Sequence, residues 1–162
     1  MNGDDIIDIP FELEACDTFV PPPATAIDPC FGVDYTSNIV IDDSLLDNTV
    51  LGSYLVSYDA TDALGNPSNT IYIEVIVVDT TAPVITLIGD NPLIIEACDT
   101  YIEPGATAQD CITDLTASIV IDNSTVDTSI LGTYFVTYDV VDANGNATQE
   151  IRDVEVVDTI AP

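Results

Sequence analysis

The sequence predicts an all-β chain built as two tandem β-sandwich domains. Three observations predict it: an internal repeat, a strand-like period of two within each copy, and the absence of any amphipathic helical segment. Glu14-Ala15-Cys16-Asp17-Thr18 returns as Glu96-Ala97-Cys98-Asp99-Thr100, a shift of 82, and Cys30 returns as Cys111, a shift of 81. From Asn38 to Ser68 the shift is 80, and 16 of those 31 positions are identical in residues 118–148, which chance does not produce. The phrase VVDTTAP at 77–83 comes back as VVDTIAP at 156–162, a shift of 79, so the shrinking offset records small loop deletions in the second copy. The first domain is therefore 1–79 and the second 80–157, with 158–162 opening a linker towards a further repeat. At about 80 residues each, the copies lie near the lower range of independently folding domains.

Each copy reads as strands in the same order. The stretch before each first cysteine is an early strand, and Ile39–Ile41 and Ile119–Ile121 are short ones. In the segment from Gly132 to Val141, Tyr134, Val136, Tyr138 and Val140 share one face while Thr133, Thr137 and Asp139 share the other, the pattern of a half-buried strand. Tyr54, Val56, Tyr58 and Ala60 repeat it. Asp62-Ala-Leu-Gly-Asn66 and Asp142-Ala-Asn-Gly-Asn146 are hairpin turns leading into closing strands at Ile71–Val78 and Ile151–Val157. Short strands punctuated by turns at this spacing argue a sandwich. The repeated phrase is a joint: its proline lacks an N–H and biases its predecessor to extended backbone, so the chain leaves one sheet without starting a helix.

Composition narrows function. One basic residue, Arg152, stands against 29 acidic ones, with no histidine, for a net charge of −28. The acids divide 15 to 14 between residues 1–79 and 80–162, so this is not an acidic tail on a neutral domain, and 47% apolar content is too high for disorder. Nucleic acid is excluded as a partner because phosphates cannot be neutralised. Anionic membrane surfaces are excluded on the same ground. No apolar run reaches the roughly 18 residues of a membrane helix, which argues against direct membrane insertion. The start, MNGDDIID, lacks the regions of a signal peptide, so an export signal is expected outside this stretch. Aspartate supplies 22 of the 29 acids, and aspartate favours turns and hard-cation sites.

The order APVI (82–85), EACDT (96–100), PGATA (104–108), GTYFVTYD (132–139) and DANGNA (142–147) resembles the bacterial immunoglobulin-like surface repeats related to the hyalin-repeat group. The resemblance covers both copies and is best over Ala82–Asp158; it implies extracellular, cell-surface or secreted repeat proteins, adhesins or their stalks. The first copy departs from it, since residues 1–10 lack the APVI opening and its first strand is expected to be truncated or altered. Tyr54 and Tyr134, beginning the last hairpin, resemble the tyrosine corner of such sandwiches, whose hydroxyl bonds back to upstream backbone.

Four cysteines allow three connectivities, and repetition selects Cys16–Cys30 and Cys98–Cys111, each within one copy, in an oxidising compartment. Closing loops of this size contributes roughly 3 kcal/mol in the chain-entropy view. Zinc is disfavoured because there is neither a CxxC pair nor a histidine.

In an immunoglobulin-like sandwich, the loop after the second strand and the final hairpin loop share the pole where the domain begins. In the second copy that pole would gather Asp110 and Asp114 from one loop and Asp142, Asn144 and Asn146 from the other, with Asp79 and Thr80 arriving from the joint. The first copy offers Asp28, Asp34, Asp62 and Asn66. Carboxylates, amides and carbonyls from several loops suit Ca²⁺, which takes six to eight oxygens flexibly. Against this stands the plain reading that Asp and Asn are ordinary turn residues. Catalysis is not expected: no tryptophan, histidine or lysine is present, and a pair of acids repeated in both copies fits a structural site better than an active one.

The sequence thus predicts a non-enzymatic, disulfide- and calcium-stabilised repeat of a bacterial surface adhesin or stalk, whose partners are neighbouring repeats of the same chain. Two alternatives are a module recognising a surface glycan or protein, and a subunit joined end to end in an extracellular filament. Asp79-Thr80-Thr81, Asp158-Thr159-Ile160 and Asp43-Ser44-Leu45 also resemble the Asp-Ser/Thr-apolar O-glycosylation signal of some gliding and gut bacteria.

Overall fold

The computed structural model of the chain describes residues 5–161, with side chains from residue 10 onwards. Contacts divide the chain into two compact units, Met1–Asp79 and Thr80–Pro162. Among the described residues all regular structure beyond two short 3₁₀ turns is strand, and no helix is long and apolar enough to cross a membrane.

The second unit has two sheets. Strands β6 (Leu93–Glu96), β11 (Ala147–Val157), β10 (Gly132–Val141) and β9 (Val120–Asp122) lie in that order in one sheet, and β5 (Val84–Leu87), β7 (Ala106–Asp110) and β8 (Thr113–Asp114) form the other. The long hairpin β10–β11 sets the frame, pairing Gly132 with Val156 at one end and Val141 with Ala147 at the other. Alternation decides the facing: Val136, Tyr138 and Val140 are buried against Ile85, Ala106, Ala108 and Val154, whereas Thr133 is exposed. Tyr134 donates its hydroxyl to the Ile130 carbonyl at 2.9 Å, and Tyr54 bonds Val50 at 2.8 Å, so both tyrosine corners are made.

The first unit repeats only one of these sheets. Strands β1 (Asp5–Glu14), β4 (Ile71–Val78), β3 (Gly52–Asp59) and β2 (Val40–Asp42) lie in that order, with the core on Leu13, Val56, Tyr58, Ile73, Val75 and Val77. Phe11 and Phe19 close one edge of it edge-to-face, ring centres 5.5 Å apart. Among the described residues no strand corresponds to β5. Instead β1 runs on alongside β4, pairing Asp5–Ile7 with Ile71–Ile73, then shifts register before Phe11. Ala24-Thr25-Ala26, which matches the start of β7 in sequence, has no such partner to ladder with. Pro21, Pro22 and Pro23 before it lack the donors a strand needs. Among the described residues the second sheet expected of both copies is laddered only in the second, and the first has the isolated bridge Ile27 to Asp34 at the matching place.

Candidate functional site at the head of the second unit

Each unit has two poles, fixed by its hairpin. In the second unit the head carries the β10–β11 turn, and the tail carries the end of β11, where Ala97 donates to Val157 and Cys98 to Thr128. The head turn is built by Asp142. Its Oδ1 accepts the amides of Asn144 and Asn146, both at 2.8 Å, its Oδ2 accepts the Asn146 side chain, and Gly145 takes φ +94 to close the bend. Burial pushes the Asp142 carboxyl up, but the donors from Asn146, Asn144 and Gly145 outweigh it and hold the group below its ordinary value. Asp62 builds the same turn in the first unit, bonded by Leu64, Asn66 and the Asn66 side chain.

Around the second turn three carboxylates converge. Asp79 from the connecting phrase, Asp110 at the end of β7 and Asp142 each place one oxygen within 4.8 Å of the others, and all three are half-buried. Like charges at 4.8 Å repel by about 1 kcal/mol per pair in water, and by roughly 3–4 kcal/mol at the effective dielectric of a protein surface. The chain has a single guanidinium, and it is used elsewhere. The only basic residue, Arg152, is fully buried, and its guanidinium is committed to the Tyr138 hydroxyl at 2.9 Å and to the carbonyls of Ile88, Gly105 and Asp90. A hard cation fits the oxygen-only donor set.

The other expected acids are placed differently. Asp114 is exposed and its carboxylate accepts the Thr116 amide at 2.9 Å, a turn role rather than a place in the cluster. Asn144 sits in the Asp142 turn with its amide on that carboxylate. In the first unit Asp28 accepts the amides of Cys30 and Phe31, Asp34 that of Thr36, and Asp62 those of its own turn. No acidic trio is gathered there among the described residues.

The cysteine pairing must be corrected. Cys30 and Cys98 are exposed free thiols, while Cys16 and Cys111 are disulfide-bonded, so neither Cys16–Cys30 nor Cys98–Cys111 is formed. The reason is geometric. Cys16 lies at the tail of its unit, bonded to Asn48 just after β1 ends beside Val78. Cys30 follows Asp28 and Pro29, which line a cavity at the head with Asp62 and Asn66. The eight residues of β3 separate these poles by roughly 24 Å, whereas bridged Cα atoms must approach within about 7 Å. Cys98 and Cys111 are likewise split, Cys98 at the tail and Cys111 next to Asp110 at the head.

Two arrangements were not anticipated. Glu96 holds the second joint: its carboxylate accepts the amides of Thr159 at 2.6 Å and Ile160 at 3.2 Å, and the Thr159 hydroxyl at 2.9 Å. Backbone and hydroxyl donation from Thr159 keeps the Glu96 carboxyl below its ordinary value. Its signal was present, since EACDT and VVDT recur together. The other is the interior of the second unit, where Glu103 accepts the hydroxyls of Tyr101 and Tyr138 and the Gly105 amide, and Tyr138 in turn accepts from Arg152.

Residues 85–156 match the family model described as bacterial surface protein, Ig-like domain. Among solved structures, a lipoprotein from Bacteroides thetaiotaomicron is 30% identical over 49% of this chain and 40% of its own, with a TM-score of 0.43. Protocadherin gamma B2 extracellular cadherin domains 3–6 are 16% identical over 96% of this chain and 46% of theirs, TM-score 0.38. The protocadherin gamma B4 extracellular domain is 17% identical over 94% and 30%, TM-score 0.35. This chain thus spans less than half the length of each, and no curated protein matches it. Over residues 85–156, within its second unit, the chain is thus similar to the immunoglobulin-like domain of bacterial surface proteins.

Proposed function

We propose that the chain is a non-enzymatic pair of tandem immunoglobulin-like repeats forming part of an extracellular bacterial stalk or adhesin, stiffened by Ca²⁺ at its joint. The carboxylate trio Asp79, Asp110 and Asp142 is the observation that carries this reading. Two loops of one repeat and the phrase that leads into it contribute to the trio. A cation there lowers the repulsion among the three carboxylates. Ion binding restricted to the folded state adds RT ln(1 + [Ca²⁺]/Kd), about 2.7 kcal/mol at a hundredfold excess over Kd. Extracellular modules bind calcium near 10⁻⁴–10⁻³ M, so roughly 10 mM calcium is a sufficient dose. The test is thermal melting and small-angle scattering of the wild type and Asp79→Ala, with calcium, with magnesium and with chelator. Calcium is expected to raise the melting temperature and narrow the spread of dimensions in the wild type only. If chelator changes neither quantity, the trio is acid coating and the joint a plain turn.

A second reading, recognition of a glycan or protein, is favoured by a cavity of about 190 Å³ at the head of the first unit, lined by Ala26, Asp28, Tyr35, Asp62 and Asn66. Its volume falls below the roughly 300 Å³ of the smallest usual ligand pockets, which ranks this reading second. Binding of a surface glycan that Tyr35→Ala abolishes would reverse the ranking.

A further inference from the structure

In the second unit β5 serves two neighbours at once. It ladders antiparallel onto β7, with Ile85 opposite Ala108 and Leu87 opposite Ala106, and it also packs on β11, where the Thr148 hydroxyl donates to the Pro83 carbonyl at 2.5 Å. Beneath it Ala106 and Ala108 are 7% and 2% exposed. Ala24 and Ala26 match these alanines at a shift of 82, yet Ala24 is exposed, Ala26 is half-buried and Ile27 is 62% exposed. The backbone here is nonetheless set as in β7. Ala26 donates its amide to the Thr36 hydroxyl at 3.1 Å and accepts the Tyr35 amide at 2.7 Å, as Ala108 does with Thr116 and Leu115. Asp28 donates to the same side, to the Val33 carbonyl at 2.9 Å. Backbone groups alternate in direction along an extended chain, so those of Thr25 and Ile27 point the other way, and neither residue's amide has a partner among the described residues. Two cavities, of about 230 and 80 Å³, open between residues 22–27 and residues 68–73, with Ala24, Ile39, Tyr58, Ile71 and Ile73 as apolar walls.

We propose that this edge of the first unit is an acceptor for an added β-strand, donated by a repeat of another molecule. The donor is an extended, uncharged segment with apolar side chains at alternate positions, of the kind Val84-Ile85-Thr86-Leu87. The second unit itself shows what covers such an edge. In the first copy the four positions that match β5 read Asn2-Gly3-Asp4-Asp5, which offer no apolar side chain and carry two charges. Charge selects the donor as well: Asp28, Asp59 and Asp62 line the cavities along this edge, so an acidic segment is repelled and a neutral one is not. In the register of the second unit, the donor's second and fourth residues lie opposite Ala26 and Ala24 and fill the cavities. Its first and third residues exchange backbone bonds with Ile27 and Thr25, closing an edge that is otherwise a template for strand addition. The proposal uses the internal repeat but not the cation, so failure of the calcium test leaves it standing.

The probe is a synthetic peptide of residues 82–89, acetylated and amidated so that it carries no charge. It is titrated into the full chain by calorimetry, and amide exchange of the chain is followed by NMR. The expected result is saturable one-to-one binding that slows exchange at Thr25 and Ile27 by about tenfold or more, while Ala26 and Asp28, already bonded, change less. The same peptide carrying Ile85→Asp should bind at least about tenfold more weakly, because its carboxylate would enter an apolar cavity. On the chain, Thr25→Pro removes one edge donor and Ala24→Asp places a charge opposite the donor's leucine; each should weaken binding by about tenfold or more. Both positions are exposed, so unchanged melting shows that the variants fold, and the peptide variant keeps the test decisive where one does not. The proposal is overturned if no binding is seen up to about 1 mM peptide, or if the Ile85→Asp peptide binds equally well. It is also overturned if the Thr25 and Ile27 amides are protected before peptide is added, because the chain then covers its own edge.

Discussion

Arg152→Ile is the most informative single change. In the first copy the matching position is Ile73, which is buried and faces Val56 across the hairpin as Arg152 faces Val136. The matching position for Glu103 is Pro21, and Tyr58, which matches Tyr138, sends its hydroxyl to the Pro22 carbonyl at 3.0 Å instead of to a carboxylate. The two copies thus carry two solutions for one interior, one apolar and one charged. Removing the guanidinium alone strips donors from the carbonyls of Ile88, Gly105 and Asp90 and leaves the Glu103 carboxylate with no cation. At about 1–3 kcal/mol for each buried acceptor left unsatisfied, the loss is about 3–5 kcal/mol. For a domain of this size that lowers the melting temperature by roughly 15 °C or more. Glu103→Pro alone should cost a similar amount. The double variant Glu103→Pro/Arg152→Ile imports the first copy's solution and should lie within about 2 kcal/mol of wild type, since apolar replacement of a buried pair is often neutral. The assay is calorimetric or denaturant unfolding of all four proteins, with the first unit's transition as internal control. A loss below about 1 kcal/mol for Arg152→Ile, or a double variant equal to the sum of the singles, would refute the coupling.

Other outcomes follow from the same geometry. Tyr134→Phe removes the bond to the Ile130 carbonyl and should destabilise the second unit by about 0.5–1.5 kcal/mol, whereas exposed Thr133→Ala should stay within about 0.5 kcal/mol; equal losses would mean that the strand faces the other way. Gly145→Ala meets no neighbouring atom but must hold φ +94, a strain of about 1–2 kcal/mol visible in the unfolding midpoint. Burial pushes the Glu103 carboxyl up, yet the Tyr101 and Tyr138 hydroxyls, the Gly105 amide and Arg152 hold it below its ordinary value. A depressed carboxyl contributes stability above the ordinary glutamate range that is lost as pH falls through the folded value. Acid unfolding below about pH 4 should therefore be steeper in the wild type than in the double variant, and parallel curves would contradict it. Burial, reinforced by Glu103, holds the Tyr101 and Tyr138 hydroxyls above their ordinary value, so stability should also fall above about pH 10 as the unfolded tyrosines ionise.

What sequence could and could not show divides along physical lines. The facing of Tyr134, Val136, Tyr138 and Val140 was legible because side-chain alternation is a local property of a strand. The Asp62 and Asp142 turns were legible because aspartate and glycine act within five residues. The missing second sheet of the first unit was only half legible. The absent opening motif was visible, but the consequence for Ala24–Ala26 required knowing that their ladder partner is that very segment. Cysteine pairing was misread for a deeper reason. A tandem repeat shows that cysteines recur at matching positions, not that those within one copy meet. Distance between the poles excludes both expected pairs, and distance is not written in the period. Arg152 was hidden by its own rarity: a lone arginine in an acidic chain reads as surface, and Glu103, linked to it through the Tyr138 hydroxyl, lies 49 positions away.

The excess of aspartate over glutamate also has an explanation that leaves less for a cation to do, and that sharpens the case for one site. Asp34, Asp42, Asp47, Asp114, Asp122 and Asp127 each accept the amide two residues onward, at 2.8 to 3.0 Å, and are exposed. Glutamate is a methylene too long to make that ring comfortably, so turns of this kind select aspartate whatever the ionic conditions. These six aspartates are therefore turn chemistry repeated twice, and their charge faces solvent, where pairwise repulsion is screened within about 8 Å. Turn chemistry accounts for the shape of the Asp142 loop, but not for the arrival there of Asp79 and Asp110. Asp142 needs both carboxylate oxygens for its own turn, since Oδ1 accepts two amides and Oδ2 the Asn146 side chain. Three ionisable groups within 4.8 Å repel one another, and a cation from solution would lower that repulsion. Asp110→Asn separates the two accounts: it should raise the melting temperature in chelator by removing repulsion and lower it in calcium by removing a ligand. A change of the same sign in both conditions would show that charge at this pole serves solubility alone.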